Sequence, residues 1–338
     1  MKKIFPIAAI ALSAMAAGCS SDNDNGPKDP TRDAISFANP YVANSINQRE
    51  VATKANVTEF KVWGFVNQPD SYVFSDNTVT KKGNEWTVDR LEYWYLNQKY
   101  YFTGLAPIDE SVTFTPLDAS ATATDGTYTG GGTINFNNRV AEGEKDLIYA
   151  FTNPAITHTS LENIQPVGMT FNHMLSQVTF QFKNEVSKAT ILEIDNLTLK
   201  ATPSEGSIDM ASAEKAWTVK ESDVPFDIVG IDTENTKTTG SKQFAETELA
   251  GSEPVFIIPA SAEYTITFNV IVRNGSQIMD TYTHTVSLPP VEFEKGNSYR
   301  FTATLNPQNL NPEHELEPIK FTVETVNDWI QNPDKPIN

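Results

Sequence analysis

The sequence contains a single cysteine, Cys19, and only four histidines among its 338 residues. With one thiol, a disulfide bond within the chain is impossible. Structural zinc sites usually take four cysteine or histidine ligands, so this composition argues against one. We therefore expect a protein that carries neither a structural metal nor a cofactor.

Positive charge is also scarce. The chain has 25 lysines and arginines against 43 aspartates and glutamates, which gives a formal net charge of −18. Because a phosphate backbone would repel such a protein, we expect no nucleic-acid partner. The charge suits a soluble, self-repelling surface protein, and an aromatic content of 10% indicates a folded chain rather than a disordered acidic tail.

The sequence lacks the common catalytic motifs. It has no G-x-S-x-G elbow, no H-E-x-x-H and no P-loop lysine motif. His314 begins the sequence H-E-L-E, which has no second histidine for a zinc site. The many carboxylates leave a glycosidase-type acid pair open as an enzymatic alternative. We predict that the protein is not an enzyme.

The apolar run near the N-terminus is short. Residues 4–17 form it behind Lys2 and Lys3, and it is shorter than the about 20 residues that a membrane-spanning helix needs. This pattern predicts a secretory signal. The run ends at residues 16–19 (AAGC), which resemble a bacterial lipobox. The resemblance implies a lipoprotein signal peptide over residues 1–18, lipidation of Cys19 with fatty acids such as palmitate, and attachment to the outer membrane.

The residues after the lipobox are polar and acidic. Residues 20–27 read SSDNDNGP, and a stretch without apolar side chains cannot pack. We therefore predict a flexible tether over residues 19–33. The stretch resembles the surface-export signal of Bacteroidetes lipoproteins, and a plain spacer that faces the periplasm is the alternative.

Most of the remaining chain alternates between apolar and polar residues. The period is two in residues 264–272 and 299–305, which places one side of each strand in a core and the other in water. Asn274-Gly275, between two such runs, predicts a hairpin. No amphipathic helix of more than two turns is evident. Many short strands separated by turns predict an all-β fold of antiparallel β-sandwiches.

Some 300 residues exceed one sandwich, so we predict two tandem domains. The proline-containing residues 153–166 are the predicted boundary, with an N-terminal domain over 34–166 and a C-terminal domain over 167–338. Residues 306–318 contain three prolines and predict an extended connector. The strand after it, residues 319–330, is predicted to be separable from its domain, with four side chains on one face: Ile319, Phe321, Val323 and Trp329.

Two further features each have two interpretations. The aromatic cluster at residues 91–102 is a candidate platform for stacking on sugars, with Trp94 as its test residue. The alternative is that its side chains pack the core in alternation. His173 stands beside apolar strand residues, which is typical of a hydrogen-bonded structural histidine.

Several segments together resemble the fimbrillin family of Mfa-like and FimA-like pilins. Residues 171–180 are similar to the family's F-x-H-x-L-S-x-V-x-F stretch, and residues 146–150 to its D-L-x-Y-A strand. Weaker similarities follow the family's order along nearly the whole chain. They lie at residues 100–107, 255–260, 296–299 and 319–329.

The resemblance implies two transthyretin-like β-sandwich domains and a specific assembly mechanism. A trypsin-like protease removes the first strand of the N-terminal domain, and an extended segment of another subunit fills the groove that is left. This is β-strand addition, in which backbone hydrogen bonds give affinity and alternate side chains fill pockets. The implied partners are other pilin subunits and a host or bacterial surface ligand.

The sequence has candidates for each part of this mechanism. Residues 34–37 are the predicted first strand. Arg49 and Lys54 are candidate processing sites, although the family's usual site is an arginine before alanine. Here Arg49 precedes a glutamate and Lys54 precedes an alanine, and two ordinary surface charges are the alternative.

The strand with Ile319, Phe321, Val323 and Trp329 is the candidate donor. It is predicted either to fill a neighbour's groove or to stay in its own sandwich. We predict a structural or adhesive subunit of cell-surface fimbriae, with a glycan-binding surface lipoprotein as the alternative.

Overall fold

The regular secondary structure of the protein is almost wholly β-strand, as the sequence predicts. The computed structural model describes residues 33–43, 53–54, 57–67, 70–117, 131–187, 190–220, 226–231, 242–245, 249–262, 264–313 and 317–326. Within these ranges, four-residue α1 (Asn138–Ala141) is the one α-helix. No helix in the described parts has the length and apolar character needed to cross a bilayer. The all-β prediction is confirmed.

The strands are numbered in chain order. The first twelve are β1 (Tyr41–Ala43), β2 (Thr53–Lys54), β3 (Glu59–Asn67), β4 (Asp70–Lys82), β5 (Glu85–Val88), β6 (Tyr100–Ala106), β7 (Val112–Pro116), β8 (Gly132–Asn137), β9 (Ile148–Phe151), β10 (Thr170–His173), β11 (Ser176–Asn184) and β12 (Ile191–Thr202). The remaining twelve are β13 (Glu205–Asp209), β14 (Trp217–Val219), β15 (Phe226–Ile231), β16 (Lys242–Phe244), β17 (Leu249–Gly251), β18 (Val255–Ile257), β19 (Ser261–Ala262), β20 (Thr265–Asn274), β21 (Gln277–Ser287), β22 (Val291–Glu292), β23 (Ser298–Leu305) and β24 (Phe321–Val326).

An eight-stranded sheet and a four-stranded sheet form the first half of the structure. Their strand orders are β2-β1-β10-β9-β6-β3-β4-β5 and β14-β13-β8-β7. Trp63 of β3 and Tyr149 of β9 share a buried cluster with Phe136 of β8 and Ile208 of β13. Because side chains of both sheets meet in this cluster, the two sheets pack face to face as a sandwich.

The opposite face of the eight-stranded sheet is also buried. It carries a second apolar cluster that includes Phe60, Phe102 and Phe171. All seven residues of β6 are buried, and this explains why its sequence is apolar on both sides. Gly104 of β6 has no room for a side chain, because an added Cβ would lie 2.8 Å from the ring of Phe171.

Two five-stranded sheets form the second half. One has the order β17-β11-β23-β24, with β18 also paired to β11, and the other has β15-β12-β20-β21, with β16 also paired to β12. Phe180 and Phe301 of the first sheet share a buried cluster with Ile194 and Phe268 of the second. The predicted hairpin is confirmed between β20 and β21, where Gly275 adopts a φ of 58° that glycine tolerates without steric cost.

Two strand pairs depart from the predicted antiparallel arrangement. β1 is parallel to β10, and β11 is parallel to β23. Each pair joins strands that are more than a hundred residues apart in sequence, so no hairpin turn dictates its direction.

The predicted boundary at residue 166 does not separate the hydrogen-bonded sheets. β10 lies beyond it yet pairs with β9 of the eight-stranded sheet, and β13 and β14 belong to the four-stranded sheet with β8. The proline-containing residues 153–166 therefore connect two strands of one sheet. The domain limits themselves stay a prediction.

Tyr264 is a buried tyrosine next to β20, and its hydroxyl is expected to make the stability of the protein depend on pH in alkaline solution. It is 2% exposed, and its hydroxyl has no hydrogen-bond partner among the described residues. Burial raises the pKa of Tyr264 to about 12, because a phenolate would be desolvated. The unfolded chain has a tyrosine pKa of about 10, so it releases its proton first as the pH rises. The stability that comes from keeping Tyr264 protonated in the folded state is therefore fully present below pH 10. It is lost as the pH rises from about 10 to about 12.

We expect Tyr264→Phe to leave the free energy of unfolding at pH 7 equal or higher, since a buried hydroxyl without a partner is removed. The variant should also lose less stability than the wild type between pH 9 and pH 11. Urea unfolding at both pH values measures this difference. Equal alkaline losses in the two proteins, or a lower stability of the variant at pH 7, would contradict the assignment.

Candidate assembly site

The first-strand segment, residues 33–43, lies between a loop and a strand of the first sandwich. On one side, the Ile35 amide donates to the Glu92 carbonyl over 2.8 Å. On the other side, the Val167 amide donates to the Ser36 carbonyl over 2.7 Å, and the Ala38 amide donates to the Val167 carbonyl over 2.8 Å. The segment thus has hydrogen-bonded backbone on both sides.

The predicted first strand, residues 34–37, forms isolated β-bridges rather than a regular strand. Ala34 bridges Tyr93, and Phe37 bridges Val167. Regular pairing begins only at Tyr41 in β1. The interruption falls at Pro40, which has no amide hydrogen to donate.

Three side chains of the segment pack into the apolar cluster on one face of the eight-stranded sheet. Ile35, Phe37 and Val42 are 2%, 4% and 0% exposed. The Phe37 ring centroid lies between 5.7 and 6.0 Å from three other rings. Those rings belong to Phe60, Phe74 and Phe102. The segment is therefore an integral part of the apolar cluster on this face.

One polar contact also ties the segment to the sheet. The indole nitrogen of Trp86, in β5, donates to the side-chain oxygen of Asn39 over 2.9 Å. Asn39 thus satisfies a donor that is partly buried.

The candidate processing residues lie after this segment. Lys54 is in β2, which pairs antiparallel with β1 at the edge of the sheet, with Tyr41 opposite Lys54. Arg49 lies outside the described residues. The two candidate cuts have different products, since a cut after Arg49 separates β1 from β2 and a cut after Lys54 lies beyond both strands.

The candidate donor strand lies in the second sandwich. β24 is an edge strand that pairs antiparallel with β23, and Phe321 stands opposite Ala303. Ile319 and Phe321 are 4% and 6% exposed, but Val323 is 36% exposed. Two of the four predicted side chains therefore enter the core, Val323 remains largely at the surface, and Trp329 lies outside the described residues.

Phe321 has an aromatic environment of its own. Its ring centroid lies between 5.7 and 6.3 Å from three phenylalanine rings, with interplanar angles of 84–89°. These rings belong to Phe180, Phe182 and Phe268. Edge-to-face pairs of this kind add to the free energy of apolar burial.

The aromatic cluster at residues 91–102 faces mostly inward. Trp94 is 3% exposed, and its ring contacts those of Tyr100 and His158 at 4.7 and 4.5 Å. A buried indole cannot stack on a sugar at the surface, so Trp94 belongs to the core-packing interpretation. Leu91 and Tyr95 remain more than half exposed.

His173 has the structural role that the sequence predicts. Its Nδ1 lies 2.5 Å from a carboxylate oxygen of Asp146, and the two side chains are 0% and 4% exposed. The partner was not identified from the sequence, although both residues stand in the segments that carry the family resemblance. The pair joins the start of β9 to the end of β10.

No grouping of three or more histidine, cysteine, aspartate or glutamate side chains suited to hold a metal ion occurs in the parts of the chain that the structure describes. Cys19, the candidate lipidation site, precedes those parts.

Comparison with solved structures shows a shared fold. A fimbrial protein from Bacteroides vulgatus superposes with a TM-score of 0.61 at 15% identity, covering 88% of this chain and 100% of its own. A proposed cell adhesion protein from Bacteroides ovatus has a TM-score of 0.48 at 14% identity, covering 89% of this chain and 99% of its own. The fimbrial anchor protein Mfa2 from Porphyromonas gingivalis has 0.37 at 12% identity, covering 88% and 98%. These last two likenesses are too weak to support an argument.

Comparison with protein families gives the assignment. No curated protein sequence matches the chain. The family model described as fimbrillin-like matches residues 47–329, which include every described strand of both sandwiches except β1. Because this match extends over well more than half of the sequence, the chain belongs to the fimbrillin-like family.

Proposed function

We propose that the protein is a structural or adhesive subunit of fimbriae that assembles by strand exchange after proteolytic removal of its first strand. Membership in the family makes it a fimbrial or adhesion-related subunit of the cell surface, in a family of structural proteins rather than enzymes. The observation that carries this proposal is the burial of Phe37 among aromatic rings of the eight-stranded sheet.

Removal of the first-strand segment would create a strong acceptor. Ile35, Phe37 and Val42 each contribute about 1.5–3 kcal/mol by burial, so an empty groove forfeits about 5–9 kcal/mol. The backbone of residues 167–172 would also lose its partner on that side, and unpaired sheet edges are templates for strand addition. A second extended segment that fills the groove restores both contributions.

The cut must fall between the first-strand segment and β3. Arg49 and Lys54 are the basic residues in that interval, so a trypsin-like protease has two positions there. Either cut separates Ile35, Phe37 and Val42 covalently from the body of the protein. Because Cys19 lies on the same side of the cut, the lipid would leave with the removed piece. In this proposal the uncut subunit is an outer-membrane lipoprotein and the cut subunit is free to join a fibre.

β24 has the properties expected of a donor. It occupies an edge of its sheet, and β23 is its one hydrogen-bonded neighbour among the strands that the structure describes. Among the described residues 317–326, Ile319 and Phe321 are the two that anchor it in the core, and residues 322–325 are exposed. Its extraction therefore disrupts less buried surface than the extraction of an interior strand would.

The test is assembly of the purified full chain under limited digestion with trypsin. We expect a ladder of oligomers on an unheated denaturing gel, and N-terminal sequencing should locate the cut after Arg49 or Lys54. The double variant Arg49→Ala with Lys54→Ala should give no ladder, and Lys99→Ala, which removes an exposed lysine elsewhere, should behave like the wild type.

A chain that ends at Pro318 tests the donor. After cleavage it should form no ladder by itself, yet it should cap fibres of the wild type, because its acceptor groove is intact. A ladder from the double variant or from the truncated chain alone would refute the proposal. So would the absence of a ladder from wild-type chains that sequencing shows to be cut.

A further inference from the structure

The first-strand segment and the last strand carry the same pair of apolar residues. Residues 34–37 read AISF, and residues 318–321 read PIKF. Each segment therefore has an isoleucine and a phenylalanine separated by one residue.

The two pairs have matching environments in the two sandwiches. Ile35 and Phe37 are 2% and 4% exposed, and Ile319 and Phe321 are 4% and 6% exposed. Each phenylalanine ring contacts three other phenylalanine rings at centroid distances of 5.7–6.3 Å. The intervening residue is exposed in both segments.

The same spacing occurs at two other places, but both are interior strands. Residues 134–136 (INF) lie in β8, which pairs with β7 and β13, and residues 266–268 (ITF) lie in β20, which pairs with β12 and β21. A strand that is hydrogen-bonded on both sides cannot leave without opening its sheet. Residues 319–321 adjoin an edge strand, so this copy of the pair is the one that can be donated.

We propose that the first-strand segment is an internal mimic of the donor, so that the donor binds in the register that the segment has in the uncut chain, and this rests on the function proposed above. In the assembled fibre, Ile319 of one copy takes the place of Ile35 in another copy, and Phe321 takes the place of Phe37. The donor runs in the direction of the segment that it replaces, parallel to residues 167–172.

This register specifies the backbone contacts of the donor. The Ile319 amide donates to the Glu92 carbonyl, as the Ile35 amide does in the uncut chain. The Lys320 carbonyl accepts from the Val167 amide, and the Thr322 amide donates to the Val167 carbonyl. The ring of Phe321 enters the pocket between three rings of the acceptor, which are Phe60, Phe74 and Phe102.

The register can be tested by disulfide trapping. In the uncut chain, Phe37 bridges Val167 in parallel, so the next residues, Ala38 and Gly168, are also neighbours. In the proposed register Thr322 takes the place of Ala38. Thr322 of the donor therefore lies beside Gly168 of the acceptor. A side chain at Gly168 would meet no atom within 4 Å, and adjacent strand positions are close enough for a disulfide. The chain has one cysteine, so Cys19→Ser gives a background without thiols.

In this background, Thr322→Cys and Gly168→Cys chains are mixed, cut with trypsin, allowed to assemble and then oxidised. In an equal mixture, about half of the Thr322→Cys donor strands should meet a Gly168→Cys groove, and we expect these pairs to form a disulfide-linked dimer. The matched control is Glu324→Cys, a second exposed position of the same strand face. It lies about 6–7 Å farther along the donor and should give at least tenfold less cross-linked dimer. Uncut mixtures should give none, because residues 34–38 still occupy the groove.

The ladder before oxidation and the cross-link after it separate the two proposals. A normal ladder with cross-linking through Glu324→Cys, or through neither position, would overturn the register and leave strand exchange intact. The absence of a ladder from cut chains would overturn strand exchange itself and this register with it. A ladder together with the Thr322 cross-link supports both.

Discussion

Phe37→Ala should lower the free energy of unfolding of the uncut chain by about 3–5 kcal/mol, the usual cost of truncating a buried phenylalanine. The ring is 4% exposed and lies against Phe60, Phe74 and Phe102. Its loss leaves a cavity among rigid rings that belong to different strands and cannot collapse together. Urea unfolding of the full chain measures this change.

The control for this prediction is Tyr41→Ala in the same segment. Tyr41 is 46% exposed, so its truncation should change stability by no more than about 0.5 kcal/mol. Phe37→Ala should also accelerate trypsin cleavage after Arg49 or Lys54, because a loosened segment opens more often. A loss below about 1 kcal/mol, with unchanged cleavage, would show that the segment does not plug the groove.

Once the segment has been cut away, the same variant should assemble like the wild type. Phe37 is then absent from the fibre, and the acceptor groove is unchanged. This contrast between a large effect before cleavage and none after it is specific to a removable plug. An ordinary core residue would impair both states.

Asp146→Ala should lower the free energy of unfolding by about 3–5 kcal/mol, the range for removing one partner of a buried pair. Asp146 Oδ2 lies 2.5 Å from His173 Nδ1, and the two side chains are 4% and 0% exposed. Without the carboxylate, His173 loses this partner in a place that water does not reach. Asp146→Asn keeps an oxygen acceptor of similar shape, so it should cost less than Asp146→Ala.

Glu324→Ala is the matched control for this second prediction. Glu324 pairs with Arg300 at 3.1 Å, but its side chain is 58% exposed, and exposed pairs contribute about 0–1 kcal/mol. In urea unfolding, the loss of stability caused by Asp146→Ala should therefore exceed the loss caused by Glu324→Ala by at least about 2 kcal/mol. Equal losses from Asp146→Ala and Glu324→Ala would contradict a structural role for the buried pair.

The Asp146–His173 pair also holds the strand beside which the first-strand segment lies. His173 is the last residue of β10, which pairs with β9 on one side and with β1 on the other. Asp146 therefore anchors the strand against which the first-strand segment lies. The Asp146→Ala variant should loosen that strand in the uncut subunit.

The role of the aromatic cluster at residues 91–102 does not follow from its local sequence. Residues 91–102 are rich in aromatic side chains, and the pattern is consistent both with packing and with a sugar-binding face. Only the folded structure shows that Trp94 contacts Tyr100 and His158 in the interior. His158 is distant in sequence, so no local signal reveals the contact.

The burial of the donor strand does not follow from its local sequence alone either. The alternation from Ile319 to Val323 correctly predicts a strand with Phe321 on an apolar face. It does not reveal that the sheet ends at β24 and leaves Val323 36% exposed. How far a core extends over an edge strand depends on the opposite sheet, whose residues lie elsewhere in the sequence.

The sequence by itself determined the features that depend on neighbouring residues. The all-β character follows from side chains that alternate with period two, and the hairpin at Gly275 follows from a turn that needs a positive φ. Only the tertiary structure decided which strands pair, as in the parallel β1–β10 and β11–β23 pairs, and that Asp146 is the partner of His173. These contacts join residues far apart in the chain, and their choice depends on how all the apolar surfaces are buried together.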